Sequence, residues 1–158
     1  MTNPQREWSF FVPVDVISRI TIDRALDIVW AFSANPDNAP LWYVNIKSVE
    51  WQSTPIVRVG ARIAFVAHFL GRRLAYTYEV VVHVPRERLV MRTADGPFPM
   101  ETTYEWRSLG ASRTEMTLRN RGAPSGFSRI MQPFMAAAMR RANRKDLLAL
   151  KARLENSE

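Results

Sequence analysis

The sequence predicts an α+β domain in which a curved antiparallel sheet wraps around one long C-terminal helix, and three observations predict it. Between Asn45 and Arg121, short apolar runs are broken by turn signals at the spacing of an antiparallel meander. After Ala123-Pro124-Ser125-Gly126 the apolar period switches from two to about 3.6. One strand and two short helical segments precede the meander, and no repeat or linker divides the chain.

Val14 to Ile22 is rich in β-branched residues and reads as the first strand. Asp23 is placed to cap a short helix carrying Leu26, Ile28, Val29, Trp30 and Phe32. Asn35-Pro36-Asp37 stops that helix, and a second helical turn is expected over Asp37 to Val44, ending near Trp42 and Tyr43. For the central hairpin, a type II′ turn at Gly71-Arg72 sets Phe69 against Leu74, Ala67 against Tyr76, Phe65 against Tyr78 and Ile63 against Val80. A four-residue turn at Val84 to Glu87 then puts Val82 opposite Leu89, Val80 opposite Met91 and Tyr78 opposite Thr93, with Glu79 meeting Arg92 on the outer face. The last hairpin, turning at Leu109-Gly110-Ala111, directs Met100, Thr102, Tyr104 and Trp106 inward together with Thr114, Met116, Leu118 and Asn120.

The final helix is expected to run roughly thirty residues to Asn156, about 46 Å at 1.5 Å per residue. One stripe holds Phe127, Ile130, Met131, Phe134, Ala138 and Ala142, and Pro133 is expected to kink the first turns. Leu147, Leu150 and Leu154 form a second stripe about half a revolution away. The domain is read over residues 14–156, with an N-terminal extension at 1–13.

This order of elements is that of the helix-grip fold. Val29-Trp30-Ala31-Phe32, Asn35-Pro36, Trp42, Gly60, the strand end from Val80 to Pro85, Gly96-Pro97-Phe98-Pro99-Met100 and the segment Leu147 to Glu155 together resemble the SRPBCC (START-like) superfamily. Within it they look most like the polyketide cyclase/dehydrase and lipid-transport family. The resemblance implies a sheet gripping the helix around an elongated apolar cavity for a lipid, polyketide, sterol or other hydrophobic molecule. It implies no catalytic residue, because the superfamily's enzymes share no universal signature, and fold does not settle function.

The residues themselves point to a ligand cavity. Phe65, Tyr76, Tyr78, Met91, Met100, Thr102, Tyr104 and Trp106 from the sheet, with Met131, Phe134, Met135 and Met139 from the helix, form an aromatic and sulfur-rich lining suited to burying an apolar molecule. Any one of them is equally explained by a filled core; together, three tyrosine hydroxyls on one concave face need partners that a ligand or trapped water supplies. Inward strand positions carry no carboxylate, so an acid is sought in the loops, where Asp95 and Glu101 flank Gly96-Pro97. His68 and His83 fall on the outer face and read as surface residues.

The chain has no cysteine, which excludes disulfides, thiolate metal sites and cysteine nucleophiles. No zinc-hydrolase, serine-hydrolase or nucleotide-binding motif occurs, and no cofactor is expected. The formal charge of +7 gathers partly at Arg140, Arg141, Arg144, Lys145, Lys151 and Arg153 and at Arg72 and Arg73, where a solvated face competes with docking to an anionic membrane. Nucleic acid is not expected, since the aromatic residues are committed to the inner face. The first reading is thus a cytoplasmic binder or carrier of a hydrophobic molecule, monomeric or homodimeric. The alternatives are a cofactor-independent cyclase, aromatase or hydratase using Tyr76, Tyr104 or Glu101, and an interaction module built on the second leucine stripe.

Overall fold

The computed structural model describes residues 14–123 and 131–157. The extension read over residues 1–13, the turn at Pro124-Ser125-Gly126, and Phe127 and Ile130 of the first helix stripe lie outside them. The elements are β1 (Val14–Ile22), α1 (Leu26–Ser33), a 3-10 turn (Pro36–Asn38), α2 (Ala39–Trp42), β2 (Ile46–Trp51), β3 (Arg62–Phe69), β4 (Arg72–Val84), β5 (Arg88–Asp95), β6 (Met100–Gly110), β7 (Arg113–Gly122) and α3 (Gln132–Asn156). The seven strands form one antiparallel sheet in the order β1-β7-β6-β5-β4-β3-β2. It curls into a half-barrel against α3, which is the helix-grip fold.

The inward faces are those the alternation predicts, while several turns differ. The β3–β4 turn is Leu70-Gly71, with Phe69 opposite Arg72, Phe65 opposite Tyr76 and Ile63 opposite Tyr78. Both central residues have positive φ, 50° and 74°, as in a type I′ turn, whose twist matches the strands. The turn lies one residue earlier than the type II′ reading, which moves each partner by two positions and leaves every side chain on its expected face. Between β4 and β5 the expected pairs Val80/Met91, Tyr78/Thr93 and Glu79/Arg92 form, but a bulge after Val80 puts Val82 opposite Val90 instead of Leu89. Across β6–β7, Tyr104 faces Leu118 and Trp106 faces Met116, and the turn is at Ala111-Ser112, here about one residue later than predicted.

Three expectations about the helices are corrected. Asp23 does not cap α1, whose N-cap is Ala25 without a side-chain bond; instead its carboxylate pairs with Arg113 and its N–H donates to Glu155. Pro133 falls at the start of α3, where its missing N–H has no intrahelical acceptor to lose, so no kink is required. The buried face of α3 is Met135, Met139, Asn143, Asp146, Leu147, Leu150 and Leu154, one continuous stripe, whereas Met131 and Phe134 are 47% and 67% exposed. The three leucines are therefore core, and the interaction module proposed for them loses its basis.

The core divides along α3. Leu147, Leu150 and Leu154 pack with Ile22, Val29, Trp42, Leu89, Trp106, Met116 and Leu118, filling one end of the half-barrel. At the other end Met135 and Met139 join Val14 and Val16 in a smaller cluster. The cavity lies between the sheet and the N-terminal half of the helix.

Candidate functional site: a cavity between sheet and helix

The space has a volume of about 160 Å³, against the roughly 10–15 Å³ that one water needs. Alternation along the strands brings Phe65 and Ala67 of β3, Tyr76 and Tyr78 of β4, Met91 of β5, Met100, Thr102 and Tyr104 of β6 and Asn120 of β7 to its wall. Helix α3 adds Met135, Met139, Ala142, Asn143 and Asp146; the segment after α2 adds Tyr43, Asn45 and Ile46; and Phe98 comes from the β5–β6 loop. Phe98 packs edge-on against Tyr76, ring centroids 5.8 Å apart. Gly96 permits this, because a Cβ there would lie 2.5 Å from Tyr76 Cδ1.

Of the predicted lining, Phe65, Tyr76, Tyr78, Met91, Met100, Thr102, Tyr104 and Met135 stand around this space. Trp106 does not: it faces inward but at the filled end, donating its indole N–H to Ser33 Oγ at 2.9 Å. Met131, the N-cap residue of α3, and Phe134, one helix position before Met135, turn to the outside. Glu101 is also excluded as a cavity acid. It is 4% exposed because it lies on the outer face between Arg92 and Arg121, each within 2.6 Å. On the same face Glu79 also pairs with Arg62, at 3.4 Å.

The polar groups of the cavity fall into two sets. The hydroxyls of Tyr43 and Tyr104 share a 2.6 Å hydrogen bond. Near them Asp146, 3% exposed, accepts the Val44 N–H at 2.8 Å through Oδ1. The second set is a chain in which Tyr78 is hydrogen-bonded to Thr102, Thr102 Oγ1 donates to Asn120 Oδ1 at 2.6 Å, and Asn120 Nδ2 donates to Asn143 Oδ1 at 2.8 Å. The chain ends at Asn143 Nδ2, a buried donor without a partner among the described residues.

Burial sets the proton affinities. Desolvation pushes the Asp146 carboxyl up to about 7, with the Val44 N–H opposing the rise. Burial likewise raises Tyr78 to about 12. Tyr76, Tyr43 and Tyr104 are raised as well, chiefly by burial, and the charge of Asp146 adds to the effect on the last two. The tyrosines thus stay neutral donors across the physiological range, whereas Asp146 exchanges a proton near neutrality. An apolar cavity with one group of this kind can hold a proton at a ligand oxygen or take one from it.

Sequence reasoning missed Tyr43, Asn143 and Asp146. The signal for the last two was present: carrying the 3.6 period from Met135 and Met139 forward runs through Asn143 and Asp146 into Leu147, Leu150 and Leu154.

Residues 13–155 match the family described as "Polyketide cyclase / dehydrase and lipid transport". The chain belongs to this polyketide cyclase/dehydrase and lipid-transport family. No curated protein matches it in sequence. Among solved structures it resembles the Zhui aromatase/cyclase of a Streptomyces species, with a TM-score of 0.75, 16% identity and coverage of 89% of this chain and 93% of that one. A Thermus thermophilus protein gives 0.76, 16%, 89% and 96%. A START superfamily protein of Mycobacterium smegmatis gives 0.75, 13%, 89% and 97%. At these identities the likeness establishes the fold. Membership in the polyketide cyclase/dehydrase and lipid-transport family fits either binding of a hydrophobic ligand or a cyclase or aromatase role. No helix among the described residues is long and apolar enough to cross a membrane.

Proposed function

We propose that the chain binds a hydrophobic small molecule bearing at least one oxygen function. Its apolar body lies against Phe65, Tyr76, Met91, Met100 and Met135, and its oxygen faces Tyr43, Tyr104 and Asp146, while Tyr78 and Thr102 offer a second polar contact. The observation that carries this reading is Asp146, a carboxyl raised to about 7 in the wall of an otherwise largely apolar cavity. Keeping such a group there costs stability, and a core built only for packing would place a leucine at this position. A cavity of this volume accepts on the order of one ring as it stands, and four methionines in its wall, Met91, Met100, Met135 and Met139, allow it to adapt to longer cargo.

The same carboxyl favours a second reading, cofactor-independent cyclisation of a polyketide-like substrate. Asp146 as carboxylate takes a proton from carbon beside a carbonyl that Tyr43 and Tyr104 hydrogen-bond. The enolate carbon then forms a bond to a second carbonyl carbon, and Asp146 returns the proton to the resulting alkoxide. Titration with an apolar fluorescent naphthalene probe tests the binding reading. Saturable binding that Ala142→Phe abolishes supports it, and binding indifferent to Ala142→Phe overturns it. Turnover of a poly-β-ketone substrate that survives Asp146→Asn unchanged removes the catalytic reading.

A further inference from the structure

A groove runs between the β3–β4 hairpin tip and the outward face of α3. Leu70, Ala138, Arg141 and Lys145 line it, and it shares Asn45, Phe69 and Ala142 with the cavity wall, so the two spaces adjoin. Large apolar side chains stand in the open around it: Leu70 is 60% exposed at the hairpin tip, and Phe134, one helical turn before Ala138, is 67% exposed. Leu70 also holds a φ of 50°, the left-handed region where asparagine or glycine is usual. A leucine kept there at a steric cost, pointing its side chain at water, has no packing explanation.

The charge around the groove is as distinctive. From residue 131 to residue 145 the helix carries Arg140, Arg141, Arg144 and Lys145 and no acidic residue. Among the described residues none of these four, nor Arg73 beside the hairpin tip, enters an ion pair, whereas most arginines on the rest of the sheet do, among them Arg62, Arg88, Arg107, Arg113 and Arg119, with Arg19 of β1 an exception. At 100° per residue Phe134, Arg141 and Lys145 fall within a narrow arc opposite the buried stripe. Apolar tips and cations therefore face the same way.

We propose that this face docks onto an anionic lipid bilayer, with Leu70 and Phe134 entering the edge of the acyl region and Arg73, Arg141 and Lys145 at the headgroup phosphates. Exposed apolar tips set among cations fit the headgroup–acyl boundary. An acidic protein surface would satisfy the cations but leave Leu70 and Phe134 against charge. A nucleic acid site would interleave stacking rings with the cations, and the groove wall itself holds a single aromatic residue, Phe69. Because the groove adjoins the cavity, an apolar molecule leaving the bilayer here reaches the cavity with little exposure to water. The docking surface stands independently of what the cavity binds.

Sedimentation of the full chain with phosphatidylcholine vesicles, with and without phosphatidylglycerol, tests the proposal. Binding is expected only to the anionic vesicles and is expected to fall steeply with added salt. Loss of one cation near an anionic surface is worth about fivefold in partition, so Arg141→Glu with Lys145→Glu is expected to weaken binding by at least about 25-fold. Arg58→Glu, at the opposite end of β3, is expected to change it by less than about threefold. Phe134→Ser and Leu70→Ser, with unchanged circular dichroism, are each expected to weaken it by about tenfold. The proposal is overturned by equal binding to both kinds of vesicle, by Arg58→Glu acting as strongly as the double reversal, or by tighter binding to duplex DNA at the same ionic strength.

Discussion

Helix α3 crosses two regions built from the same kinds of residue and put to different use. Its C-terminal half sets Leu147, Leu150 and Leu154 into a filled layer with Trp42, Trp106 and Met116, all fully or almost fully buried. Its N-terminal half sets Met135 and Met139 against aromatic rings across empty space. In the filled layer Trp106 donates its indole N–H to Ser33, while the buried indole N–H groups of Trp42 and Trp30 have no partner among the described residues. At the hollow end Asn143 Nδ2 is likewise unpartnered, and desolvation raises the Asp146 carboxyl to about 7. Close packing is concentrated in one half of the helix, and the proposed function places recognition in the other.

The sharpest break of that contrast is in stability. Leu150→Ala is expected to cost about 3 to 5 kcal/mol, because its neighbours are close-packed and cannot collapse. Met139→Ala is expected to cost less than about half as much, since that side chain already lacks partners on its cavity side. Urea unfolding of the two variants measures the difference, and equal losses would mean that the hollow end is packed in solution.

Next in size is the pH dependence. The Asp146 carboxyl rises from 3.8 to about 7 on folding. Between those values the folded chain keeps a proton that the unfolded chain has released. The stability linked to this group is therefore full below about pH 4 and is lost as pH rises to about 7. Asp146→Asn keeps an acceptor for the Val44 N–H and removes the titration. Above pH 7 the variant is expected to be more stable than the parent by up to about 4 kcal/mol, the difference closing towards pH 4. Denaturation midpoints across that range check it.

Smaller again is Tyr43→Phe, which leaves the Tyr104 hydroxyl without its 2.6 Å partner. A stability loss of about 1 kcal/mol is expected, together with weaker probe binding. Glu101→Gln is the matching control on the outer face: it releases two arginines, costs about 1 to 2 kcal/mol, and is expected to leave probe affinity unchanged.

Most of the fold was legible because strand alternation survives errors in the turns. Placing the central hairpin one residue late still sent Phe65, Tyr76 and Tyr78 inward, since the shift moved pairs by two. The helix was less forgiving. A stripe begun at Met131 and Phe134 instead of Met135 is rotated by 100°, enough to turn core leucines into an apparent surface and to hide Asp146. A carboxylate for the cavity is expected from the loops beside the sheet, and the one in its wall comes from the helix, where a charged residue among basic neighbours reads as solvated. Trp106 was misplaced for a different reason: alternation gives the face of a strand but not how far along it the packed layer ends.

Native mass spectrometry of the protein from its own source, beside Ala142→Phe prepared in the same way, tests the hollow end most directly. The account predicts a noncovalently held apolar compound on the parent chain and its absence from the variant. A bare parent chain, or a compound retained equally by both, would contradict it.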